Sequence, residues 1–311
     1  MRAHASPASI LLRLFDELLL LAALIIGAPF RIALRRIQEK LRTGHRVQSP
    51  PAEVPPIILF FNSSGLFLPY YIGVAEYLKE HYDVDADHVY ACGVSGGYAP
   101  AASIVLGLDP EVHWEAIENL RRRGEQRWPF GTFLLSEHDM IHHGYLPILR
   151  PRQEELLPKC LSGRLRLGST AVFPCWTPML GAIWTSRYGS MEALCHACTC
   201  SMRTLPILRW FGTLNGTLCF DGWMGCTPQQ VMDAIPGADA SRLLVVSAVP
   251  CPEAHIAPRQ VLGGLSKVVT LPSRGEFDDM VHRGREDAKR AVGTIEATGL
   301  LRLSKFSKSE N

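Results

Sequence analysis

Two short stretches of this 311-residue chain carry residue types that do chemistry together: Gly93-Val94-Ser95-Gly96-Gly97 and, far along the chain, Asp221-Gly222. The first reads as a G-x-S-x-G nucleophile elbow. A serine at a tight strand-to-helix turn is held out of the sheet, and only small flanking side chains, here Gly93 and Gly97, fit the bend. The amides of the following helix point back toward that serine. Such geometry suits a nucleophile in acyl transfer. Asp221 follows a short apolar run, and a carboxylate at one strand end can meet a serine at another strand end in a parallel sheet. A turn before the elbow, Asn62-Ser63-Ser64-Gly65, follows a strand-like run, and backbone amides in such a turn can form an oxyanion hole.

The elements needed to position these residues are visible in the pattern. Residues 57–61, Ile-Ile-Leu-Phe-Phe, form a continuous apolar run of the buried parallel-strand type. A helix is expected over 70–81, a strand over 88–92 and a helix over 99–107. Strand, helix, strand, helix is the rhythm of a parallel sheet covered on both faces. Further helices are expected over 111–122, 153–160, 191–200 and 278–298. Further strands are expected over 165–172, 217–220 and 242–248. The fold class is α/β, three-layered with a mainly parallel central sheet.

That ordered set of oxyanion loop, elbow and Asp-Gly resembles the patatin-like phospholipase family, in particular its adiponutrin-type lipid hydrolases. Residues 59–74 resemble the family's first strand, glycine-rich loop and Tyr-x-x-Gly-Val helix. Glu155-Leu156-Leu157-Pro158 resembles its Leu-Pro helix, and Gly284 with Asp287-Ala288 its last helix. The resemblance covers residues 57–292 and implies a lipid acyl-ester hydrolase with a Ser–Asp dyad and an acyl-enzyme intermediate. By that resemblance Ser95 is the nucleophile, Asp221 the general base, and amides around Ser64, Gly65 and Leu66 the oxyanion hole, with no cofactor and no metal. Two departures stand out. The loop Asn62–Gly65 has a single glycine where the family has several, and serine resists positive φ. Trp223 stands where a second glycine is frequent, placing an indole to narrow the site or line an acyl channel. They motivate the alternative of a catalytically impaired member that binds lipid or is recruited to a membrane. A histidine base is a further alternative, with His255 and His282 C-terminal to the elbow.

The rest of the chain bounds the setting. A net charge of +2 gives no global basic field for nucleic acid. Nine cysteines in a chain long enough to bury a core are read as reduced thiols. Residues 10–30 are largely apolar, but only 13, from 18 to 30, run without a charge, short of the ~20 that span a bilayer. Six Lys/Arg follow in 31–46, on a stretch with Phe30, Leu34, Ile37 and Leu41 at helical spacing. This suits an interfacial anchor with its basic side on anionic headgroups. The expected organisation is a membrane-associating segment 1–46, a Pro-rich linker 47–56, a catalytic domain 57–298 and a polar tail 299–311. The expected partners are a lipid substrate and the cytosolic face of a membrane or lipid droplet, the endoplasmic reticulum included. An organelle-targeting N-terminus is the alternative. Cys195, Cys198 and Cys200 are read as a buried helix face rather than zinc ligands. His138, His142 and His143 are read as a solvent-facing polar helix in preference to metal ligands.

Overall fold

The computed structural model describes residues 54–127, 136–172, 180–203, 212–260 and 271–303, all within one unit, Pro51–Asn311. The expected membrane segment, most of the linker and most of the polar tail lie outside the described residues. Among the described residues no helix is long and apolar enough to cross a membrane.

Among the described residues seven strands form one sheet: β1 (Ile57–Phe61), β2 (Val89–Val94), β3 (Leu165–Val172), β4 (Leu180–Thr185), β5 (Gly212–Leu214), β6 (Thr217–Phe220) and β7 (Leu243–Val246). The order β3-β2-β1-β7 is parallel throughout, while β4 and β6 pair antiparallel with β3 and β5 with β6. The central strands are apolar on both sides because both faces are covered. Side chains alternate across a strand, so Ile57, Leu59 and Phe61 enter the larger core, and Ile58 and Phe60 a smaller core on the other face.

The larger core is roofed by α1 (Leu68–His81), α2 (Tyr98–Leu106), α3 (Pro110–Arg127), α4 (Gln153–Leu161), α5 (Met191–Ser201) and α7 (Arg274–Arg290). The smaller one is closed by α6 (Pro228–Asp233) and by Trp184 of β4, edge-on to Phe60 with centroids 6.2 Å apart. Phe60 and Phe61 are fully buried, and each such ring contributes about 1.5–3 kcal/mol.

α1 and α7 cross backbone to backbone. A Cβ on Gly73 would lie 1.9 Å from the Val281 carbonyl oxygen, and one on Gly284 1.9 Å from that of Tyr70. Beside the crossing the Tyr70 hydroxyl donates to Asp287 Oδ2 at 2.9 Å. The Tyr-x-x-Gly and Gly-x-x-Asp patterns, more than two hundred positions apart, are thus the two halves of one contact. The terminal helix begins earlier than expected, because Ser273 and Glu276 form a capping box. It breaks at Ala291, two residues before Gly293, and resumes over Val292–Ala297.

Candidate active site

The strand registers explain how the two chemical residues meet. β4 pairs with 167–172 of β3 along one side. On the other side, β2 runs parallel up to the pair Val94↔Gly168, and β6 runs antiparallel to the pair Phe220↔Thr170. β2 and β6 therefore lie end to end against the same flank of β3, separated by the width of Ser169. The residue after β2 is Ser95 and the residue after β6 is Asp221. Ser95 Oγ donates to Asp221 Oδ2 at 2.8 Å. The expected pairing is present, but the aspartate arrives on an antiparallel strand rather than on a neighbouring parallel one.

Both residues are held by their backbones. Ser95 sits in the left-handed region at φ 52°, opening the 3-10 turn Ser95–Gly97 that leads into α2. An L-residue there costs roughly 1–2 kcal/mol, and such strained positions cluster at active sites and ligand clamps. The Ser95 amide donates to Ser201 Oγ at 2.9 Å, and Ser201 Oγ donates to the Gly168 carbonyl at 2.6 Å. Asp221 caps the turn Gly222–Met224, its Oδ1 accepting from the Trp223 amide at 3.0 Å. Its carbonyl accepts from Thr170 Oγ1 at 2.7 Å. Nucleophile and base are thus each tied to β3, one through the Ser201 side chain and the other through Thr170. Gly222 is required because a Cβ there would lie 2.3 Å from the Gly168 oxygen. Ser95, Ser201, Thr170 and Asp221 are all buried.

The loop Asn62–Gly65 rests on the elbow. A Cβ on Gly96 would lie 2.2 Å from Ser64 Oγ and 2.4 Å from the Gly65 carbonyl oxygen. The loop's only glycine occupies its left-handed position, Gly65 at φ 54°, while Ser64 has φ −128° and ψ −11°. The serines therefore impose no positive-φ strain. Gly65 and Leu66 open the 3-10 turn Gly65–Phe67, and the first amides of a helical turn have no partner within it. They are suited to receive an oxyanion. Asn62 braces the loop by accepting from the Ser63 amide at 2.8 Å.

Trp223 is 55% exposed, and its amide serves Asp221. The histidine alternatives are not brought to the serine hydroxyl. His255 Nδ1 accepts from the Val245 amide of β7 at 2.9 Å, and His282 is exposed on α7. Cys195, Cys198 and Cys200 form the buried face of α5. The supports Ser201 and Thr170 were not legible in the sequence. A lone serine ending a helix and a lone threonine in a strand carry no motif, and only the strand registers reveal them.

No protein-family model matches the chain, and no curated protein sequence matches it. Among solved structures, the crystal structure of VipD from Legionella pneumophila is similar, with a TM-score of 0.42 and 11% identity over 79% of this chain and 70% of that one.

Proposed function

We propose that this chain is a serine hydrolase of the patatin-like type that cleaves acyl esters of lipids. The observation that carries the reading is the buried Ser95 Oγ–Asp221 Oδ2 hydrogen bond of 2.8 Å, made by a serine at φ 52°. In this reading Ser95 Oγ attacks the ester carbonyl carbon and its proton passes to Asp221 Oδ2. The oxyanion is received by the amides at Gly65 and Leu66. Collapse expels the alcohol, which takes the proton from Asp221 and leaves the acyl group on Oγ. Asp221 then accepts a proton from the water that attacks the acyl-enzyme, and returns it to Ser95 Oγ as the intermediate collapses and the fatty acid leaves. A carboxylate is a weak base toward a serine hydroxyl, so oriented donors supply much of the rate. One such donor is worth on the order of 100-fold. A lipid substrate is supported by two exposed apolar residues close to Asp221 in the sequence, Leu218 and Trp223.

The test is fluorophosphonate labelling and turnover of short-chain aryl esters and of phospholipid, acylglycerol and lysolipid micelles by the full chain. Labelling is expected to vanish in Ser95→Ala, and turnover to fall steeply in Asp221→Asn. Labelling that survives Ser95→Ala refutes the assignment.

A further inference from the structure

His138, Asp139 and His143 are brought together by an irregularity in the helical stretch that follows α3. Glu137–Asp139 and Leu146–Leu149 are α-helical, but Met140–Tyr145 between them is a π turn kinked at Gly144, whose φ is −87° and ψ −108°. In an α-helix of ~3.6 residues per turn, residue i+5 lies ~140° around the axis from residue i. A π turn, bonded i→i+5, brings i+5 back beneath i, and such turns are frequent at functional sites. The His138 ring lies beside both later rings, with centroids 4.4 Å from His142 and 5.9 Å from His143, but only His143 joins His138 and Asp139 in a trio of ligand atoms. One ligand atom each from His138, Asp139 and His143 lies within 4.8 Å of the others, and among the described residues no other such trio of His, Cys, Asp or Glu occurs.

The carboxylate is pre-set. Asp139 is fully buried, and its Oδ2 accepts from the Ser136 amide at 3.0 Å and from Ser136 Oγ at 2.6 Å. Its Oδ1 accepts from Arg123 Nε at 3.0 Å. Hydrogen-bonded partners of this kind orient metal-ligating carboxylates and are part of a working site. His138 is exposed, so one side of the trio opens to solvent.

We propose that His138, Asp139 and His143 bind a divalent transition-metal ion of the zinc class, with water in the remaining position. Two imidazoles and a carboxylate select such ions over magnesium or calcium, which prefer oxygen ligands. Tetrahedral bonds of ~2.0–2.2 Å place ligand atoms about 3.3–3.6 Å apart, so closing the trio requires a shift of about 1 Å. Exposed His138 supplies it by changing rotamer. This site departs from the sequence reading, which treats the histidines as a polar helix face, and it stands independently of the Ser95 chemistry.

The test titrates the full-length protein with cobalt(II) and with zinc(II) salts. Expected are one cobalt per chain with visible ligand-field bands, no thiolate charge-transfer band, and a zinc-dependent rise in Tm. His138→Gln and His143→Gln each weaken binding by ~100-fold or more, since even second-sphere losses cost ~10–100-fold, while His142→Gln retains it. Because His138 is exposed, His138→Gln keeps the apo fold and its circular dichroism. Absence of saturable binding, binding unchanged in His138→Gln and His143→Gln, loss confined to His142→Gln, or a thiolate band overturns the proposal.

Discussion

Ser201→Ala isolates how the nucleophile is held, because it deletes one atom that touches no solvent. Ser201 is fully buried at the end of α5, and its hydroxyl is the acceptor for the Ser95 amide and the donor to Gly168. Without it, two buried backbone groups lose a partner. Each orphaned group costs ~1–3 kcal/mol, so the fold is expected to lose about 2–6 kcal/mol. The amide bond also offsets the ~1–2 kcal/mol of backbone strain at φ 52°. If ~2 kcal/mol of that restraint is realised at the transition state, kcat falls about 30-fold. KM changes little, since Ser201 does not reach the surface. The assay is ester turnover alongside thermal unfolding, at a temperature where the variant stays folded. A fall in Tm with kcat intact would reduce Ser201 to a structural role and refute the argument.

Gly96→Ala places a methyl group against Ser64 and the Gly65 carbonyl. It is expected to cost ~1–3 kcal/mol by overpacking and to slow fluorophosphonate labelling sharply; labelling at the wild-type rate would show that the loop and elbow are not coupled. His113 tests pH dependence: burial pushes its imidazole down from 6.5 to about 3, between Ser103 and the Tyr145 hydroxyl. The unfolded chain takes up the proton between those values and the folded chain does not. Stability contributed at neutral pH is therefore lost as pH falls below about 6.5, by up to ~1.4 kcal/mol per unit. Urea unfolding against pH is expected to show that slope reduced in His113→Gln, and equal slopes would contradict it.

Much of the frame was legible because its signals are local. The apolar run Ile57–Phe61 could only be a strand buried on both faces, and β3 and β6 fall where the sequence places them. Ser95, Asp221 and the loop Asn62–Gly65 come together as their motifs imply. What escaped was non-local or a local signal left unused. Asn215-Gly216, with φ 51° and 77°, is the tight turn joining β5 to β6, and Asn-Gly is a strong hairpin signal; it was available in the sequence but β5 was not inferred. β4 was missed although Ile183-Trp184-Thr185 is a strand-like run. Its role is to cover Phe60, which no local pattern reveals. The doubt attached to Ser64 dissolved for a reason that composition hides. One left-handed position exists in that loop, and the one glycine fills it.

The end-to-end placement of β2 and β6 on β3 also governs when reactivity is acquired. The nucleophile is held once the elbow, β3 and Ser201 of α5 are in place, but its base is encoded still later, 126 positions after Ser95. A chain still being synthesised, or one truncated before Thr217, holds Ser95 without Asp221. Under the proposed dyad it has a nucleophile that nothing deprotonates, and hydrolysis is withheld from every intermediate until β6 docks.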